Sequence, residues 1–216
     1  MTLTNVLEKT EKESPNKDNS DFIYVPSINI YVAKQKNSDL FFKDWVSCHK
    51  ELQKNNQRMP TLSEFIEFLK YLVSNPNNKE YQTIYNGITQ RGVNWKGEWL
   101  DVDFKFKNKK LYINYNHVFN SNGNLIPKNS ELLDSNTLMK DKAPGINLED
   151  YITKNHTQQG LPNKNVKPGY SHYYSPNKDN ISVARFGAGH DRVALNCGRH
   201  QSGAYPGLSA RACKDA

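Results

Sequence analysis

The sequence predicts an α+β domain, and three observations predict it. Apolar residues at helical spacing crowd the first half of the chain, short aromatic and β-branched segments follow, and no segment repeats. A length of 216 residues suits one ordinary domain plus a tail. The apolar share is lean at 36%, but 12 Tyr, 9 Phe and 3 Trp supply enough bulk for a core.

Taken in order, residues 1–20 are polar and charged with little to bury. They predict a disordered or loosely docked tail ahead of a single domain over residues 21–216. Residues 22–33 (FIYVPSINIYVA) are aromatic and β-branched around a proline, which predicts an edge strand or a bent strand pair. Phe41, Phe42, Trp45, Val46, His49 and Leu52 then recur at helical spacing, and His49 on that stripe reads as a packed core histidine. The next helix is announced by a capping box, Thr61 with Glu64, followed by Leu62, Phe65, Ile66, Leu69 and Leu72 on one face. Residues 79–88 predict a third, short helix stopped near Gly92. Strands over 98–106 and 111–118 flank a polar KNKK turn. Residues 120–129 read as loop, 138–152 as a short helix after Pro144, and 160–176 as loop again.

Few chemistries survive this reading. The net charge is +7, but the lysines are scattered and form no basic block, so a nucleic-acid partner is not expected. No apolar run approaches the ~18 residues of a membrane span, and no basic stretch leads into an apolar one at the start. No membrane span is therefore expected, and the expected location is the cytoplasm or a virion. Cys48, Cys197 and Cys213 have no CxxC spacing and read as buried or incidental thiols of a reducing compartment. The sequence contains no GxSxG, HExxH or GxxxxGK[ST], and no GxGxxG after a strand. Asp101 and Asp103 share one face of a strand and read as a solvated or cation-binding edge. His172, His190 and His200 lack a ligand spacing. No catalytic residue, cofactor or metal is expected.

One contrast stands out. Between residues 181 and 213 there is no Lys, Glu, Met or Trp and a single Asn, Asn196. Four of the six arginines fall there, with Gly187, Gly189, Gly198, Gly203 and Gly207. A glycine-rich loop needs a permissive backbone, but that need does not explain why Lys vanishes while Arg concentrates. The segment reads as a sparse frame of Arg185, Phe186, Asp191, Arg192, Leu195, Cys197, Arg199, Leu208 and Arg211 interleaved with small residues. Apolar frame positions would anchor it, and Arg–Asp pairs would lock it by bidentate hydrogen bonds. The intervening positions would then face outward on a rigid scaffold, which suits binding.

This segment resembles the variable region of proteins diversified by diversity-generating retroelements, whose C-terminal modules adopt a C-type lectin fold. Upstream, RMPTLSEFIEFL (58–69), GEWLDVDF (97–104) and MKDKAPGINLEDY (139–151) leading to SVARFGA fit the same family, in its archaeal-virus and prokaryotic type. RMPTLSEF is also similar to a signature of formylglycine-generating-enzyme-like domains, which share that fold. The resemblance implies a C-type lectin domain with a few N-terminal helices, short irregular antiparallel strands and a variable region over about 183–211. It implies randomisation at template adenines, often in asparagine codons, which reaches neither Lys, Glu, Gln, Met nor Trp. Across residues 183–211 only Gln201 lies outside the reachable set.

Carried over by the frame, the ligand-facing variable set is Gly187, Gly189, His190, Ala194, Asn196, Gly198, His200, Gly203, Tyr205 and Gly207, with Val193 and Ser209 at its margin. Ser209 departs from the family, which has glycine there. The implied partner is a protein or glycan on a cell surface, with Tyr205, His190 and His200 in contact. No EPN- or QPD-like motif calls for calcium-dependent sugar binding. Two other classes stand behind this one. An oxidase of the formylglycine-generating type would need a close cysteine pair and a Gly-Gly-Ser-Trp frame, whereas Cys197 and Cys213 are far apart in sequence and SVARFGA replaces the frame. A basic nucleic-acid-binding domain would need its arginines free.

Overall fold

In a computed structural model that describes residues 19–177 and 181–216, the chain is a mixed α+β domain. The expected tail lies almost wholly outside the described residues. The chain opens with a hairpin, β1 (Phe22–Val25) and β2 (Ile30–Lys36), which is the bent strand pair expected around Pro26, with β1 at a sheet edge. Three helices follow: α1 (Trp45–Gln53), α2 (Leu62–Val73) and α3 (Lys79–Thr89). Phe41 and Phe42 precede α1 and are exposed, so the predicted stripe loses its first two members. Asp44 caps α1 instead, accepting from Ser47 N–H. The capping box of α2 forms as expected: Thr61 Oγ1 accepts from Glu64 N–H, and Glu64 accepts from Thr61 N–H at 2.8 Å.

The central strand is β3 (Lys96–Lys107), which turns through Asn108 and Lys109, both at positive φ, into β4 (Lys110–Phe119). The polar turn is where the sequence places it. Next comes β5 (Leu125–Leu132), which corrects the expected loop over 120–129. Only its entry is a turn, where Asn120 Oδ1 accepts from Asn122 and Asn124 N–H. This strand is exposed along almost its whole length and among the described residues pairs with β4 alone, so it shows no apolar alternation to read. Strand β6 (Lys142–Ile146), helix α4 (Leu148–Thr153) and strand β7 (Ser171–Tyr174) follow. The helix was expected. The two short strands replace stretches read as non-strand, because proline and glycine in β6 and the four-residue length of β7 leave no period.

The former display segment is three strands: β8 (Ser182–Ala188), β9 (Val193–Arg199) and β10 (Leu208–Asp215). Along the sheet the order is β1-β2-β10-β3-β8-β9-β7-β6, with β4 and then β5 branching from β3. Pairing is antiparallel except for β10 with β3 and β7 with β9. Helices cover both faces. On one side α2 sends Phe65, Ile66, Phe68 and Leu69 against Leu100, Phe104, Ala184 and Phe186. On the other, Trp45, Cys48 and Leu52 of α1 meet Trp99, Val183, Leu208 and Ala210. Each fully buried side chain of this size contributes about 1.5–3 kcal/mol. Among the described residues no helix is long and apolar enough to cross a membrane.

Candidate functional site

Strands place side chains on alternate faces, and β8 and β9 use both. Ala184, Phe186 and Ala188, with Val193, Leu195 and Cys197, enter the main core. Arg185 and Gly187 stand on the opposite face, paired across the hairpin with Asn196 and Ala194. That face would be open if Trp95, from the segment ahead of β3, did not fold over it. Trp95 packs beside Arg185, whose guanidinium lies 4.5 Å from its ring centroid. Tyr205, on the turn into β10, closes the other side at 5.4 Å from the same guanidinium and 6.0 Å from that of Arg199. The result is a groove of about 460 Å³ whose rim includes Tyr174, Asp191, Arg192 and Pro206.

Four of the expected ligand-facing residues therefore meet in one place: Gly187, Ala194, Asn196 and Tyr205. Gly189 and His190 belong to the hairpin turn between β8 and β9, where Gly189 N–H donates to Arg192 O at 2.8 Å. Gly198 faces a neighbouring hollow beside Asp141 and Ser175. His200 and Gly203 shape the following turn, with His200 Nδ1 2.7 Å from Ser202 Oγ. Gly207 has a backbone role. It sits at φ +78°, and a Cβ there would lie 2.2 Å from Trp95 O, so no other residue fits without moving the backbone. A Cβ on Gly187 would meet Lys96 O at 2.7 Å, whereas Gly198 has room for a side chain. Ser209 is an ordinary strand residue, buried, with its hydroxyl donating to Asn37 O at 2.6 Å.

The expected frame divides in two. Phe186, Leu195, Cys197 and Leu208 are buried anchors. Arg211 is a true lock: its guanidinium donates to both Glu98 oxygens at 2.7 and 2.9 Å and to Ala33 O at 2.7 Å, tying β10 to β3 and β2. Arg192 pairs with its neighbour Asp191, which holds the Asp191 carboxyl below its usual range. Arg185 and Arg199 correct the reading of the arginines as internally paired. Among the described residues neither reaches a carboxylate; they line the groove, because period two turns Arg185 away from the core that Ala184 and Phe186 enter. Burial, with Arg199 close by, pushes the Arg185 guanidinium down to about 10. Trp95, Tyr174 and Pro206 escaped the sequence reading. Trp95 had one available signal, a lone tryptophan in a polar stretch next to GEWL.

A second cluster lies inside the protein. Asp101 is fully buried, not solvated as expected, and its carboxylate accepts from His117 N–H while His117 Nδ1 sits 2.5 Å from Oδ1. His49 is the packed core histidine expected, 3.5 Å from Asp101 through Nε2, with Trp45 edge-on to both imidazoles. Asp103 Oδ2 lies 3.6 Å from His117 Nε2. Burial pulls His49 down to about 4. Burial acts the same way on His117, but its contacts with Asp101 and Asp103 outweigh it and raise His117 to about 9. His49, Asp101 and His117 are the group of potential ligand side chains that converges among the described residues, within 4.8 Å of one another, whereas His172, His190 and His200 do not converge. A separation of 2.5 Å is a hydrogen bond, shorter than the ~3.3 Å between two tetrahedral ligands of one zinc ion with ~2.0 Å bonds.

Comparisons with family models, with curated proteins and with solved structures yield no match.

Proposed function

We propose that the protein is a recognition protein of C-type lectin fold whose C-terminal surface, about residues 183–211, is diversified by a retroelement. It binds a protein or glycan ligand and catalyses no reaction. One observation carries the reading: in β8 and β9 the residues that hold the strands to the core alternate with Gly187, Ala194 and Asn196, which line the groove beneath Trp95. Exchange on the groove face at Ala194 or Asn196 leaves the core contacts of Phe186, Leu195 and Cys197 in place. The mainly antiparallel sheet with helices ahead of it supports the fold assignment.

The competing chemistries have less support. Cys197 and Cys213 are buried in different neighbourhoods, the first near Tyr151 and Tyr173 and the second near Arg58. Burial raises both thiols, which disfavours the thiolate an oxidase of cysteine would use. Nucleic-acid binding would draw on a stripe of free cations, yet Arg211 and Arg192 are already paired. The test is the nucleotide sequence beside the gene. A repeat differing from codons 183–211 at template adenines, next to a reverse-transcriptase gene, is the expected result; a genome without them overturns the reading.

A further inference from the structure

We infer that the floor of the β8–β9 groove is a carboxylate-binding site, formed by Arg185 and Arg199, that receives an aspartate or glutamate side chain of a protein partner. This rests on the recognition reading above and names the chemistry that every ligand of the groove shares.

Three features point there. First, the two guanidiniums are neighbours around one tyrosine ring, Tyr205, and no described carboxylate lies within salt-bridge distance of either. The other partly or fully buried arginines differ: Arg58 holds Glu64 and Asp215, and Arg211 holds Glu98. Among the described residues Arg199 Nε is buried with no hydrogen-bond partner, so the fold leaves one of its donors unpaired. Two half-buried like charges disfavour one another, and an anion between them relieves both.

Second, the geometry selects the shape of the anion. Trp95 and Tyr205 both pack against Arg185, and among the described residues no hydrogen bond occupies its N–H donors. In-plane pairs of N–H groups match a planar carboxylate in bidentate fashion. Asn196 also lines the groove, with its Oδ1 already accepting from Gly198 N–H.

Third, the composition selects the partner. Tryptophan, tyrosine and arginine are the residues that dominate binding energy at protein–protein interfaces, in a desolvated centre ringed by weaker contacts. Here Trp95, Tyr205, Arg185 and Arg199 share one groove, and Tyr174, Asp191, Arg192 and Pro206 line it beside them.

The experiment titrates the full-length protein with a capped Gly-Glu-Gly tripeptide while following the Arg185 and Arg199 Nε–H signals by NMR. The capped Gly-Gln-Gly tripeptide, glucuronate and inorganic phosphate serve as comparators. The proposal expects saturable shifts of both signals with the glutamate peptide and none with the glutamine peptide. It also expects the glutamate peptide to bind at least as tightly as glucuronate and more tightly than phosphate. Arg185→Gln and Arg199→Gln should each weaken the peptide by about tenfold or more, with an unchanged fold by circular dichroism. Lys107→Gln, at the exposed end of β3 and outside the groove lining, should change binding little. Equal binding of the glutamine peptide, tighter binding of phosphate or glucuronate, or full binding by the double Arg185→Gln, Arg199→Gln variant overturns the proposal. A variant that unfolds is replaced by Arg185→Lys, which keeps the charge, loses the bidentate fork and should bind with intermediate strength. None of these outcomes touches the recognition reading, which stands or falls on the repeat beside the gene.

Discussion

Asp101 shows how much one residue can differ from its sequence context. Alternation with Asp103 suggests a wet strand edge, yet α1 and β4 close over it, and two histidines from distant segments become its partners. Nothing local in the sequence pairs His49 or His117 with Asp101, because the contact exists only after β3, β4 and α1 pack. The titration consequences oppose one another. His117 is raised from 6.5 to about 9, so its contribution is complete below pH 6.5 and is lost as pH rises through 9. His49 is depressed from 6.5 to about 4, so its neutral burial favours folding above pH 6.5 and turns against it as pH falls towards 4. Urea unfolding across this range should therefore give maximal stability near pH 6.5 from this pair, falling on either side. His117→Gln should flatten the alkaline limb and leave the acid limb, and an unchanged alkaline limb would refute the assignment.

Elements were legible where local chemistry dictates them. The Thr61–Glu64 box, the apolar face behind it and the Asn108–Lys109 turn all sit where the sequence puts them. Strand β5 escapes a sequence reading because only Leu125 at its start packs against the core, and β6 and β7 because they are too short to show a period. In β8 and β9 the sequence revealed two classes of residue but not their cause. The frame is half core face and half groove floor, which is why Arg185 and Arg199 were placed with Phe186 and Leu195. A direct consequence is unequal tolerance to substitution. Ala194→Ser and Gly198→Ser should change chemical-denaturation stability by no more than about 0.5 kcal/mol. Leu195→Ala, on the core face of the same strand pair, should cost about 2–5 kcal/mol. Equal costs on the two faces would contradict the division.

At the scale of the molecule, the chain's last strand is its organiser. Strand β10 lies between β2 from the start of the domain and β3 at its centre, and Arg211 joins all three through Glu98 and the carbonyl of Ala33. Lys36 reinforces the seam by donating to Gly97 O and Gly207 O. The pair is fully buried, so removing one partner strands a charge and costs about 3–5 kcal/mol. Glu98→Gln or Arg211→Gln should each lower Tm by about 10 °C in a scanning calorimeter, at ~2–4 °C per kcal/mol for a chain of this size. The double variant should cost less than the sum of the two, since neither charge is then left alone.

The three buried thiols make the protein its own reporter of opening. Cys48 lies on α1, Cys197 on β9 and Cys213 on β10, and none is accessible in the closed state. An alkylating reagent can therefore mark each only when the surrounding segment parts, and mass spectrometry of the digest reads three separate opening rates from one sample. The prediction is that Cys213, under the Arg211 seam, is marked only with global unfolding. Cys48, on a helix with few partners, should be marked at lower denaturant.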